Sequence, residues 1–177
     1  MSKLPKIFDG LADVGAEHAE FVFELRDPEE SDGDIKAWLG ALPSDGTRFI
    51  VFAQDGTGSL FCLWLRPGHD DVEAAPVVYL GSEGELGVLG KDPAAFLELV
   101  ASGMTFDGHG GGFFDPLESE DDEEFAAEGK ARRAKVAEWV KQRTGKSELR
   151  EPDAVRAEAE AACPGLEAWV TANNAYR

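Results

Sequence analysis

Two apolar runs separated by a short polar turn dominate the middle of the chain, in "RFIVFAQDGTGSLFCLWLR" (residues 48–66). Apolar residues occupy both alternating faces of each run, which is typical of central strands covered on both sides. The turn, Asp55 to Gly58, combines an aspartate with glycines that adopt positive φ at little cost. The pattern therefore predicts a β-hairpin, with Gly56 as the residue that needs positive φ.

A second pair of apolar runs, "PVVYLG" (76–81) and "LGVLG" (86–90), flanks the polar stretch "SEGE" and predicts another hairpin. Upstream, "EFVFEL" (20–25) fits a strand or a helix. A short helix is predicted from about Asp34 to Ala41, ended by the proline and glycine that follow it.

The clearest helix signal follows the second hairpin, in "KDPAAFLELVASG". Asp92 is suited to the N-cap, Pro93 to the first helical position and Gly103 to the position just past the end. Its apolar residues are numerous enough to predict deep burial against the strands.

The pattern changes beyond Met104. The glycine-rich "FDGHGGGFF" predicts a linker or a mobile loop. An acidic run, Glu118–Glu124, opens a helix predicted to reach about Thr144, and two shorter helices follow. We therefore predict an α+β domain in residues 1–115 and an α-helical C-terminal extension in residues 116–177 that docks on the core.

The charge is strongly acidic, with a formal net charge of −18. Residues 1–115 hold 21 acidic and 7 basic residues, and residues 116–177 hold 14 and 10. Nucleic acids and anionic membranes attract an excess of Lys and Arg, so we expect neither as a partner. The natural electrostatic complement of the first part is a basic protein.

The two cysteines do not form a disulfide framework, which favours a reducing, cytoplasmic location. No apolar run approaches the length of a membrane span.

Known catalytic and ligand-binding patterns are poorly matched. The Asp55 turn leads into a strand and lacks the helix of a phosphate-binding loop. His69-Asp70-Asp71 and Asp107-Gly108-His109 could converge on one ion, but no spacing typical of zinc sites occurs. Cys62 lies in a predicted strand, where cysteine is usually a small apolar residue. We expect no catalytic residues, no metal site and no cofactor, although a site built from distant residues stays open.

Four residues are candidates for partner binding. Asp55, Glu83 and Glu85 lie on predicted hairpin turns, where acidic side chains are exposed to a partner. Trp64 is more typical of a core, yet tryptophan is also a common anchor in interfaces.

"FAQDGTGSLFCLW", "PVVYLGSEGELGVLG" and "DPAAFLELVASG" together resemble the central part of the SUKH superfamily, over roughly residues 35–105. That superfamily includes fungal cell-wall assembly regulators and many bacterial immunity proteins that neutralise polymorphic toxins. The resemblance implies an α+β fold with a curved, largely antiparallel sheet and packed helices. It also implies a protein-binding scaffold without catalytic residues.

The function expected from the resemblance and the charge is that of a bacterial immunity protein bound to a basic toxin. Two alternatives stay open: an intracellular scaffold or regulator of the cell-wall-assembly type, and an enzyme with a dispersed site. The oligomeric state is left open.

Overall fold

The computed structural model describes residues 4–18, 24–118 and 123–176. The helices within these ranges are α1 (Leu11–His18), α2 (Ser31–Leu39), α3 (Pro93–Ser102), α4 (Glu123–Thr144), α5 (Pro152–Ala162) and α6 (Leu166–Asn173). The strands are β1 (Glu24–Leu25), β2 (Arg48–Gln54), β3 (Leu60–Leu65), β4 (Val77–Leu80), β5 (Leu86–Gly90), β6 (Thr105–Asp107) and β7 (Gly112–Phe114).

Five strands form one antiparallel sheet in the order β1-β2-β3-β4-β5, so each strand pairs with the next one along the chain. The β2–β3 and β4–β5 connections are short turns, which suffice between antiparallel neighbours, whereas α2 lies between β1 and β2. The α+β class and the antiparallel sheet predicted from the sequence are confirmed.

The central strands are covered on both faces. All six residues of β3 are buried. Phe52 and Leu63 belong to the apolar cluster on one face of the sheet, and Val51 and Cys62 belong to the cluster on the other. The prediction of central, doubly covered strands is confirmed.

Helices from both ends of the chain supply the two covering layers. On the first face α3 and α4 bury Phe96 and Val140, and on the second α2 and α6 bury Ile35 and Val170. Helix α5 packs along β5 and contributes to both clusters. It therefore covers an edge of the sheet whose unpaired backbone groups would otherwise attract another strand.

The boundaries of α3 match the sequence signals. Asp92 Oδ1 accepts a hydrogen bond from the backbone N–H of Ala95 at 2.8 Å, and Gly103 follows the helix at φ +66°. Helix α2 differs from its prediction at both ends. It begins at Ser31, three residues earlier than expected. It ends at Leu39, because the next residue, Gly40, adopts a left-handed conformation with φ +82°.

The glycine-rich stretch after Met104 is not a linker, and that prediction is wrong. It forms a hairpin in which Phe106 pairs with Phe113 across β6 and β7. The ring of Phe106 packs edge-on against Tyr79 of β4, with 5.1 Å between the ring centroids. Glycine supplies the turn, where Gly111 has φ +64°, while the aromatic residues fasten the hairpin to the sheet.

Parts of two predictions lie outside the described residues. Of "EFVFEL", only Glu24 and Leu25 are described, and they pair with β2 as a short edge strand. Of the acidic run Glu118–Glu124, residues 119–122 lie outside. The division at residue 115 stays a prediction. None of the helices in the described ranges is long and apolar enough to cross a membrane.

Candidate functional site

Three hairpin turns meet at one end of the sheet. The β2–β3 and β4–β5 turns lie on the same side because the strands run in sequential antiparallel order. The backbone N–H of Ser82 in the second turn donates to Ser59 Oγ beside the first, at 3.0 Å. The β6–β7 turn joins them through the packing of Phe106 on Tyr79.

An open pocket of about 290 Å³ lies between these turns, and we call it the hairpin-tip pocket. Its lining residues are Asp55, Thr57, Ser59, Tyr79, Ser82, Glu83, Glu85, Thr105, Phe106, Asp107, Gly108, His109 and Phe114. Four of these residues carry carboxylates, and none of the thirteen is a lysine or an arginine. Three of the four residues proposed from the sequence are thus brought together.

Asp55 organises its own turn. Its Oδ1 accepts hydrogen bonds from the backbone N–H groups of Thr57 and Ser59, at 2.9 and 3.0 Å. Its Oδ2 accepts a hydrogen bond from the hydroxyl of Tyr79 at 3.2 Å. The carboxylate is therefore held at the wall of the pocket from two sides.

Tyr79 keeps its proton and acts as a donor in this arrangement. Burial raises the pKa of the Tyr79 hydroxyl, and the negative charge of Asp55 raises it further. The tyrosine therefore adds no charge to the pocket near neutral pH.

The turn also corrects the expectation about Gly56. Gly58, and not Gly56, is the residue with positive φ, at +86°. By residue preference alone, either glycine of "DGTG" suits positive φ. In the structure, the backbone N–H of Gly58 donates a hydrogen bond to the carbonyl oxygen of Asp55 at 3.1 Å, and this bond closes the turn.

Glu83, Glu85 and His109 form a compact group at the mouth of the pocket. His109 Nε2 lies 3.1 Å from Glu85 Oε1 and 3.7 Å from Glu83 Oε2. The other oxygen of Glu85, Oε2, accepts a hydrogen bond from the backbone N–H of Glu83 at 3.1 Å. The Glu85 side chain is 14% exposed, whereas those of Glu83 and His109 are 75% and 73% exposed.

His109 is the member of this group that the partner-binding prediction missed. The only signal for it in the sequence is Asp107-Gly108-His109, which could form a metal site together with His69-Asp70-Asp71. The structure does not support that pairing: Asp70 instead pairs with Arg48 at 2.9 Å, whereas Asp107 and His109 line the hairpin-tip pocket.

Trp64 is buried, which contradicts its prediction as a partner-binding residue. Its side chain is 3% exposed and belongs to the cluster of buried residues on the second face of the sheet. A residue that packs in the core cannot anchor a partner at the surface, so Trp64 is removed from the candidates.

The two cysteines are poor nucleophiles. Cys62 is fully buried, and burial raises the pKa of its thiol well above the ordinary value. Burial also raises the pKa of Cys163, which is 4% exposed. Both thiols therefore stay protonated near neutral pH, and the thiolate is the reactive form.

No family model matches the chain, and neither a curated protein nor a solved structure matches it. The hairpin-tip pocket is therefore interpreted from its own residues: four carboxylates, one histidine and an exposed aromatic ring.

Proposed function

We propose that the chain is a non-enzymatic protein-binding domain that takes a basic side chain of its partner into the hairpin-tip pocket. The observation that carries the proposal is the convergence of Asp55, Glu83, Glu85 and Asp107 on a pocket lined by no lysine or arginine. Because like charges gather there without basic neighbours in the lining, the pocket attracts a cationic group.

The composition of the pocket suits a lysine or arginine side chain. Phe114 lines the pocket and is 51% exposed, so its side chain is accessible to a ligand. The binding of an ammonium or guanidinium group is stabilised by carboxylates and also by contact with an aromatic ring.

We further propose that the partner is a basic toxin domain and that the protein is a cytoplasmic bacterial immunity protein of the SUKH type. The acidity of residues 1–115 and the motifs in residues 35–105 support this assignment. The resemblance to the SUKH superfamily also implies a curved sheet, which we include in this proposal. Register shifts between Val51 and Ala53 and between Val77 and Val78 support it, because bulges bend strands.

The test is co-expression with the product of the adjacent upstream reading frame, followed by measurement of association rates at low and high salt. We expect fast association that weakens steeply as salt rises, because the attraction is screened over about 10 Å at 0.1 M ionic strength. The double variant Glu83→Lys/Glu85→Lys should slow association by about tenfold or more.

A matched control is Glu138→Lys/Glu148→Lys, which changes the net charge equally at exposed positions that do not line the pocket. This control should slow association much less. A tight complex that responds equally to both double variants, or to neither, would show that recognition lies elsewhere. An upstream product that is acidic, or that does not bind, would contradict the toxin assignment.

A further inference from the structure

We propose that the hairpin-tip pocket contains a binding site for a first-row divalent cation of the zinc class, formed by Glu83, Glu85 and His109. One ligand atom from each residue lies within 4.8 Å of the other two. Among the described residues, this is the only group of three or more His, Cys, Asp or Glu side chains that meets that condition. The ligands come from two separate turns, which is why spacing along the chain does not reveal them.

The distances fit a shared ion. Zinc binds imidazole nitrogen and carboxylate oxygen at about 2.0–2.2 Å, so two ligands of a tetrahedral ion lie about 3.3 Å apart. The distances from His109 Nε2 to Glu85 Oε1 and Glu83 Oε2, 3.1 and 3.7 Å, lie on either side of that value. Glu83 and His109 are exposed, so their side chains have room to rotate and to bring all three atoms around one ion.

Glu85 is held in position by the backbone around it. A Cβ atom at Gly81 would collide with the Glu85 carboxylate, and one at Gly108 would lie 3.0 Å from Glu85 Cβ. Glycine at both positions therefore lets the two turns close on this side chain. Since Oε2 is occupied by the N–H of Glu83, Oε1 is the oxygen that faces His109.

The ligand set indicates the type of metal. Imidazole favours zinc and its neighbours in the first transition row, whereas calcium and magnesium prefer sites built only from oxygen. Asp55 and Asp107 line the same pocket and add negative potential without competing cations from Lys or Arg in its lining. Three protein ligands leave a further position open to water.

The experiment is isothermal titration calorimetry of the whole chain with ZnCl₂ and, separately, with CaCl₂. It needs no protein partner, so its outcome is measured separately from that of the proposed function. A bound zinc ion and a basic side chain of a partner would compete for Glu83 and Glu85. We expect one zinc ion per chain and weaker binding of calcium. His109→Ala and Glu85→Gln should each lower zinc affinity about tenfold or more, since each removes one of three ligands. The control is His69→Ala, an exposed histidine that does not line the pocket, which should leave the affinity unchanged.

Unfolding curves of every variant show whether a loss of binding reflects loss of the fold. Because His109 is exposed, His109→Ala should unfold like the wild type, and His109→Gln provides a second variant that keeps a polar side chain. The proposal is overturned if zinc does not bind, if calcium binds as tightly as zinc, or if His69→Ala lowers the affinity as much as His109→Ala. The first result would mean that His109 makes only an exposed contact with the two glutamates.

Discussion

Gly58 holds a backbone conformation that other residues adopt only with strain. Its φ is +86°, in the left-handed region, whereas Gly56, two residues earlier in the same turn, is outside that region. A Cβ built at either position meets no atom within 4 Å. The two glycines therefore differ in backbone conformation and not in available space, which makes them a matched pair.

We predict that Gly58→Val lowers the free energy of unfolding by about 1–3 kcal/mol, because a β-branched residue resists positive φ. Gly56→Val should cost clearly less, since its backbone lies outside the left-handed region. Urea unfolding of the two variants and the wild type measures the difference. Equal losses from both substitutions would contradict this account of the turn.

The same turn shows what local sequence can and cannot specify. Asp and Gly between two apolar runs are sufficient to predict a hairpin. The choice between Gly56 and Gly58 depends on how the turn closes, and in the structure Asp55 Oδ1 accepts from both Thr57 and Ser59. Residue preferences alone do not predict which hydrogen bonds Asp55 forms, and so they do not predict which glycine adopts positive φ.

At the scale of elements, a buried carboxylate ties α3 to the C-terminal helices. Glu98 of α3 is 1% exposed. It accepts hydrogen bonds from Lys146 and from Arg150, whose Nη2 lies 2.6 Å from Oε1. Arg150 also bonds Glu158 of α5, and Lys91 reaches the same glutamate at 2.8 Å. Five charged side chains therefore join α3, α5 and the segment between α4 and α5.

Glu98 is ionised in the folded protein despite its burial. Burial opposes its charge, but the hydrogen bonds from Arg150 and Lys146 outweigh burial and lower its pKa to about 2, from an ordinary value of 4.5. A carboxylate whose pKa is lower in the folded than in the unfolded state stabilises the folded protein at pH values above its unfolded pKa. That contribution is lost as the pH falls from about 4.5 towards about 2.

We predict that Glu98→Gln destabilises the protein at neutral pH by about 3 kcal/mol, and that the difference from the wild type shrinks as the pH falls through this window. Urea unfolding at a series of pH values from about 6 to about 3 measures it. Glu160→Gln, an exposed position on α5, is the control and should show little pH-dependent difference. A difference for Glu98→Gln that does not change with pH would contradict a lowered pKa.

Elements with strong local signals were predictable, and those fixed by tertiary packing were not. The capped helix after Asp92 and the continuous apolar runs of β2 and β3 contain their own boundaries. The β6–β7 hairpin was missed because its glycines are typical of a loop, while its stability comes from Phe106 packing on Tyr79. His109 was missed for the same reason, since only that packing brings its turn to the site.

The chain has far more acidic than basic residues. The excess is concentrated in residues 1–115, which contain 21 acidic and 7 basic residues. Some of these charges are paired, as Arg133 of α4 is with Asp115 at 2.7 Å, and this pairing lowers the pKa of Asp115 to about 2. With a formal net charge of −18, we expect repulsion to outweigh attraction over the molecule as a whole. Because folding brings the charges closer together, that repulsion opposes the folded state.

We therefore predict that salt stabilises the protein. Raising NaCl from about 0.02 to about 0.3 M shortens the screening length from about 20 to about 6 Å, which should raise the Tm by a few degrees. Glu138→Lys/Glu148→Lys makes the net charge four units less negative, so its Tm should rise less over the same range. NaCl and KCl should act alike, because screening depends on ionic strength, and a monovalent salt avoids occupation of the hairpin-tip pocket by a divalent ion. A Tm that falls with salt would mean that ion pairs such as those of Glu98 outweigh the net repulsion, and that the acidic surface imposes no cost on folding.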